Sequence, residues 1–293
     1  MEFITHIQGD VDSHHTPLFL IHAISGLALP FFRLHNLSHG KFHRSHSERP
    51  VYGVSSPIYS SEEAIYPSSF EELALLYISE IKTIQPHGPY LLGGWSLGGM
   101  IAMKMAQILL EQGESVSRVI MIDSANPEAF PPFRSSAEFH AQTAATIKGV
   151  VAEGLPVFLD AEEGASSDSE SSEEEDDDGL LSLRETEKRI KMHISKSLLL
   201  LANITPGEFS STYCDTHVVL VKCAADHKND SSLHKHRAHQ IRKVMRDKTM
   251  KWDTSKFREF ETVPFSGDHD GAFGVQHVGE LSKILHRALH HVR

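Results

Sequence analysis

Gly94-Trp95-Ser96-Leu97-Gly98 sets a serine two residues after one glycine and two before another. A short apolar strand, Tyr90 to Leu92, leads into it. A helical pattern follows at once, with Leu97, Ile101, Met105 and Ile108 on one stripe. In that strand–turn–helix context the spacing reads as a nucleophile elbow. A sharp turn holds the serine in strained backbone geometry, so its neighbours two residues away on either side must be small. The free N–H groups and positive dipole end of the new helix then face any negative charge that forms beside the hydroxyl. The backbone N–H of Leu97 is therefore an expected oxyanion donor. The competing reading is a Gly-rich strand-to-helix turn in which Ser96 is only a cap.

A serine is a poor nucleophile at neutral pH, so Ser96 needs a base, and the base needs a carboxylate to hold its tautomer. His269 is the leading base. It lies in Ser266-Gly267-Asp268-His269-Asp270-Gly271-Ala272-Phe273, a Gly-rich loop after an apolar strand (Phe260 to Phe265), with His277 as the alternative. Two acids compete. Asp123 ends the strand that follows the elbow helix, and Asp226 follows the next strand; position alone does not separate them. A second oxyanion donor is expected where the strand Pro17 to His22 runs into the small-residue loop Ala23-Ile24-Ser25-Gly26. We assign it to the Ile24 N–H, with Ala23 as the neighbouring possibility.

The elements that must position these groups alternate along the chain. Pro50 to Val54 reads as a strand. Ser69-Phe70-Glu71-Glu72 is a capping box that opens a helix whose buried face is Leu73, Leu76, Tyr77, Ile81 and Ile84. Ser117 to Asp123 and His217 to Cys223 are further strands. The stretch of more than ninety residues between them is too long for a simple crossover and predicts an inserted lid. It contains helical patterns at Ser135–Val151 and Leu183–Ala202. Leu233–Val244 and Val275–Val292 read as later helices. The fold class expected is α/β, a mainly parallel sheet with helices on both faces and an inserted helical lid. The organisation is then a first core part (1–125), a lid insertion (126–215, including an acidic run at 160–178) and a second core part (216–293).

At 293 residues the chain can bury a full core, and its net charge of −11 is concentrated in one place. Asp160 to Asp178 holds 11 acidic and no basic residues, which leaves the remainder with 28 of each sign. That run is expected to be disordered, and the charge balance gives no reason to invoke a nucleic-acid partner. No charged-then-apolar leader opens the chain, and no apolar run approaches membrane-spanning length. Cys214 and Cys223 lack metal-like spacing and are expected to sit reduced in a cytoplasmic protein. His35, His39, His43 and His46 crowd one polar loop without a carboxylate or cysteine partner, and read as solvated rather than metal-binding.

Four segments together resemble the thioesterase domains of polyketide and nonribosomal peptide synthases, the fungal branch above all. They are Phe19 to Gly26, Gly93 to Gly99, Val119 to Ser124 and Gly267 to His269. The resemblance implies an α/β-hydrolase fold with the triad in the chain order serine, acid, histidine. The commonest arrangement of that fold would favour Asp226. This family places the acid directly after the strand that follows the elbow helix, which implies Asp123. The family often has His-Pro-x-Gly-Gly where this chain has His22-Ala23-Ile24-Ser25-Gly26. The implied function is release or editing of polyketide- or peptide-type acyl chains, in secondary-metabolite biosynthesis, from a carrier protein's phosphopantetheine thioester through an acyl-serine. No metal or organic cofactor is implied. A cyclase or acyltransferase using the same acyl-enzyme, or a generic carboxylesterase, is the alternative. The partner implied is an acyl or peptidyl carrier protein, and the chain is expected to be free-standing and to act in trans. From His234 to Arg258 nine Lys or Arg stand against two Asp, a candidate docking face for an acidic carrier.

Overall fold

The computed structural model describes residues 3–38, 48–60, 65–159, 183–209, 213–224 and 235–290. Seven strands form one sheet: β1 (Ile4–Gln8), β2 (Leu18–Ile21), β3 (Val51–Val54), β4 (Tyr90–Trp95), β5 (Val116–Ile122), β6 (Tyr213–Cys223) and β7 (Phe257–Phe265). Their spatial order is β1-β3-β2-β4-β5-β6-β7. All pairings are parallel except the edge pair β1 with β3. The helices are α1 (Phe70–Ile84), α2 (Leu97–Glu111), α3 (Ser136–Leu159), α4 (Leu183–Ala202), α5 (Lys235–Arg246) and α6 (Val278–His290).

The central strands are continuous apolar runs because helices cover both faces. Side chains alternate between two cores, as the period of 2 requires. Phe19, Ile21, Val119, Met121, Val218 and Leu220 pack with α1, α2 and Val244 of α5. Leu18, Leu20, Ile120, Ile122, Val219 and Val221 pack with α6 and with Phe31, Leu34 and Leu37. A third, smaller cluster joins Ile190 and Ile194 of α4, with Ile147 and Val150 of α3, to Leu27, Ile58 and Tyr59. The two helices between β5 and β6 therefore sit over the loop that follows β2.

The expected elements are present with adjusted ends. β6 and β7 begin earlier than expected, α3 runs further, and α6 starts after Val275, which is exposed. The expectation omitted β1. The stripe drawn on α2 is too narrow, since the helix is buried on all sides from Leu97 to Leu109. Lys104 is among those residues: its ammonium donates to Gln107 Oε1 and to the Glu208 carbonyl, both at 3.3 Å, and sits over the Phe209 ring. On α1 the Ser69 hydroxyl caps Glu72 N–H, but the Glu72 carboxylate returns to the N–H and hydroxyl of Ser68, one residue earlier than a reciprocal box requires. Ala74 and Ile78 complete the buried face of α1, whereas Ile84 at its last turn is exposed. The acidic run, His39, His43, His46 and Asp226 lie outside the described residues. Among the described residues no helix is long and apolar enough to cross a membrane.

Candidate active site

The turn from β4 into α2 is built by close backbone approach. A Cβ on Gly94 would stand 2.2 Å from the Gly98 carbonyl carbon, and one on Gly98 would stand 2.1 Å from the Ile21 carbonyl oxygen. Only glycine allows the start of α2 to lie against the end of β2. Ser96 takes φ 56° and ψ −118°, a region a residue with a Cβ occupies at a cost of about 1–3 kcal/mol. Its N–H is held by the Ile122 carbonyl at 2.8 Å, which ties the elbow to the neighbouring strand.

That strand ends beside a buried carboxylate. Asp123 follows β5 with φ 49° and donates its own N–H to Val221 of β6 at 2.8 Å. Its carboxylate is 3 % exposed and fully engaged. Oδ1 accepts the Cys223 N–H at 3.0 Å, and Oδ2 accepts from His269 Nδ1 at 2.7 Å. His269 Nε2 lies 2.9 Å from Ser96 Oγ. A carboxylate only accepts, so the neutral imidazole carries its proton on Nδ1, and Nε2 is left to accept from the serine hydroxyl. Burial alone would lower the His269 pKa. The hydrogen bond and charge of Asp123, with Asp270 and Asp268 adding, carry it above its ordinary value instead. Burial, then the Asp123 charge, pushes the Cys223 thiol up, so it stays protonated beside the carboxylate.

The His269 loop is fixed by Asp268, whose Oδ1 accepts the Gly271 N–H at 2.6 Å. The Trp95 ring lies 5.9 Å from the His269 ring and 4.9 Å from that of Phe273. His277, the alternative base, precedes α6 and packs edge-on against Phe265. Of the two histidines, His269 is the one within hydrogen-bond reach of Ser96.

The two N–H groups expected as oxyanion donors belong to the starts of α2 and of the loop after β2. Leu97 is the first residue of α2, so its N–H has no intrahelical partner. The Ile24 N–H has no hydrogen-bond partner among the described residues. The loop that presents it is tied down at three carbonyls. Ala23 O accepts from Gly26 N–H (3.0 Å) and His22 Nδ1 (2.6 Å), Ser25 O from the Tyr59 hydroxyl (2.7 Å), and Gly26 O from Ser56 N–H (2.7 Å).

Sequence reasoning missed the Cys223 N–H, which a backbone group gives no means of reading, and His22. A histidine closing a fully apolar strand was the available signal. One residue of the basic tract is interior. Arg237 is buried, donating to the Pro131 and Pro132 carbonyls and stacked 3.8 Å from the Phe133 ring centroid, so it pins α5 to the chain below instead of facing a partner.

Comparison with known proteins places the chain in a family. A family model described as "Thioesterase domain" matches residues 16–289. The chain is 38% identical to Thioesterase pytI of Aspergillus terreus over 99% of both chains. It is 42% identical over 125 residues to the non-reducing polyketide synthase stmB of Aspergillus ustus, a match covering 43% of this chain and 6% of that synthase. A crystal structure of the NocB thioesterase domain, in covalent complex with a fluorophosphonate nocardicin G analog, superposes with a TM-score of 0.64. That superposition spans 98% of this chain and 100% of that one at 21% identity, and so speaks to the fold alone. From the first residues of β2 to the end of α6, this chain belongs to the thioesterase-domain family, hydrolases that cleave thioester bonds.

Proposed function

We propose that Ser96 is the nucleophile, His269 the general base and acid, and Asp123 the residue that fixes the base's tautomer. The substrate class is a polyketide- or peptide-type acyl chain held as a thioester on a carrier protein's phosphopantetheine arm. The observation that carries this reading is the unbroken hydrogen-bonded line from Ser96 Oγ through His269 to Asp123 at the start of α2. The match to a stretch of a polyketide synthase supports the carrier-bound substrate.

His269 Nε2 takes the Ser96 proton as Oγ attacks the thioester carbonyl. The carbonyl oxygen becomes an oxyanion held by the N–H groups of Leu97 and Ile24. Removing one such donor costs about 3 kcal/mol of barrier lowering. The C–S bond then breaks, and the departing thiolate receives the proton from His269. Water, deprotonated by the same imidazole, attacks the acyl-serine; the ester C–O bond breaks, Ser96 Oγ takes the proton from His269, and the acid is released. These steps use only side chains and backbone groups of this chain. We read residues 126–215, with α3 and α4, as a lid over this site; their packing on the loop after β2 supports that division.

The test is intact-protein mass spectrometry with octanoyl-pantetheine and with an octanoyl-loaded carrier protein, comparing wild type with Ser96→Ala and His269→Ala. An acyl adduct or released acid in wild type, absent from Ser96→Ala, is the expected result. Turnover that survives Ser96→Ala overturns the assignment. A cyclic product from a hydroxylated acyl chain assigns the enzyme to acyl transfer, and faster turnover of the oxygen ester than of the thioester assigns it to the esterases.

A further inference from the structure

We propose that His22, held by Tyr77, is a positioning residue for the second oxyanion donor, because it anchors the Ala23 carbonyl and so orients the Ala23–Ile24 peptide. The inference rests on the oxyanion role given above to the Ile24 N–H.

In a trans peptide the carbonyl of one residue and the N–H of the next point to opposite sides. Fixing the direction of the Ala23 carbonyl therefore fixes the direction of the Ile24 N–H. The Ala23 carbonyl receives His22 Nδ1–H at 2.6 Å and Gly26 N–H at 3.0 Å, so it is turned toward the His22 ring and the interior of the turn. The Ile24 N–H is then turned away from both and, like the N–H groups of Ala23 and Ser25 beside it, has no internal partner among the described residues; of the three, it is the one whose direction the Ala23 carbonyl sets. The end of β2 from which the turn departs lies against the start of α2: the carbonyls of Ile21 and His22 are the atoms a Gly98 side chain would strike. A peptide flip at Ala23–Ile24 would put a carbonyl where the donor stands.

His22 can act in this way only in one tautomer. It is completely buried, and burial drives its pKa from 6.5 to about 4, against the smaller opposing pull of the Ala23 carbonyl. The ring is neutral at pH 7 and has one N–H. A carbonyl cannot donate, so that proton is on Nδ1, and Nε2 must accept from the Tyr77 hydroxyl, 2.5 Å away. Tyr77, on α1, thus reinforces as a donor at Nε2 the tautomer that the Ala23 carbonyl selects at Nδ1. A second histidine closes the arrangement. His193 of α4, also fully buried, lies edge-on to His22 with ring centroids 4.9 Å apart, and its Cδ2 is 2.8 Å from where a Gly26 side chain would begin. The turn is clamped between α1 below and α4 above.

The test is a double-mutant cycle on the full chain, read as kcat and KM for octanoyl-pantetheine, with p-nitrophenyl octanoate as a second substrate that passes through the same oxyanion. Ile24→Pro deletes the proposed donor and His22→Ala its anchor. Each is expected to lower kcat about 10²-fold, with KM within about threefold of wild type. The double variant is expected to be no slower than Ile24→Pro alone, because the anchor acts only through that N–H. Tyr77→Phe, which keeps the packing and removes the tautomer lock, should give a smaller kcat loss that likewise disappears in the Ile24→Pro background. It stands in for His22→Ala if the latter fails to fold by circular dichroism. If Ile24→Pro is slow while His22→Ala and Tyr77→Phe turn over normally, the positioning role is wrong and the donor assignment survives. Losses that multiply in the double variant also overturn the positioning role. Full activity in Ile24→Pro removes the donor assignment itself, and this inference with it.

Discussion

Replacing Asp123 by Asn isolates what the acid does, since the change is isosteric and the site is closed around it. Both carboxylate oxygens accept: one takes His269 Nδ1–H at 2.7 Å, the other the Cys223 N–H at 3.0 Å. An amide has one acceptor and one donor, so it cannot do both. If its oxygen stays with Cys223, its NH₂ faces His269 Nδ1, the imidazole proton moves to Nε2, and the base can no longer accept from Ser96. Restoring the productive tautomer turns two donors toward each other at Cys223, a buried penalty of about 1–3 kcal/mol. The charge-assisted bond that steadies the imidazolium, worth about 2–3 kcal/mol, is lost as well. Together these come to about 5 kcal/mol, or about 10⁴-fold in kcat. The assay is thiol release from octanoyl-pantetheine, with Ser96→Ala as the floor and melting temperature as the check on folding. In wild type the carboxylate raises the His269 pKa, so kcat/KM should fall as pH drops through a value above 6.5, where the base becomes protonated. Asp226→Asn is the control and should stay near wild type. Retention of activity within tenfold in Asp123→Asn, or a collapse in Asp226→Asn, would refute the reasoning.

Gly98→Ala should be among the most damaging small changes in the chain, because its methyl would lie 2.1 Å from Ile21 O and 2.4 Å from His22 O, both backbone atoms that cannot rotate aside. We expect a loss of about 3 kcal/mol of stability and strongly reduced turnover, and a urea midpoint equal to wild type would contradict this. Stability should also fall on mild acidification. The unfolded chain protonates His22 near 6.5, while the folded chain resists until about 4, so stability is lost as pH falls through that window. The difference of about 2.5 pH units corresponds to about 3 kcal/mol, and His193 adds in the same direction. Urea titrations at pH 7 and 4.5 should register this drop, and His22→Gln should lessen it; an equal drop in the variant would show that His22 is not its source.

The elbow, the base and the strand–helix alternation were legible because each is a local pattern. Glycines two residues either side of a serine, a histidine in a Gly-rich loop and apolar runs of strand length need no knowledge of the rest of the chain. The acid was not legible in this way. Asp123 and Asp226 follow strands that are neighbours in the sheet, so the same positional argument applies to both, and resemblance to a family was needed to prefer one. Strand β1 was missed because an edge strand of five residues, half-buried along its length, has no clean alternation. The stripe on α2 was drawn too narrow because Lys104 and Gln107 look like surface residues but are satisfied inside by each other and by the Glu208 carbonyl. The link between His22 and Tyr77 spans 55 residues and has no sequence period at all.

The placement of Asp123 after β5 has an outcome for how this chain can change over time or be altered by design. Where the acid follows β6, the connection leaving that strand must hold a carboxylate to within a fraction of an ångström. Here β6 meets Asp123 through the Val221 carbonyl and the Cys223 N–H, both inside the strand. With Asp123 as the proposed acid, the connection beyond Ala224 is expected to carry no catalytic duty. Insertions, deletions or an appended recognition sequence there should leave the triad untouched, which makes it the natural place for relatives to diverge and for a tag to be spliced.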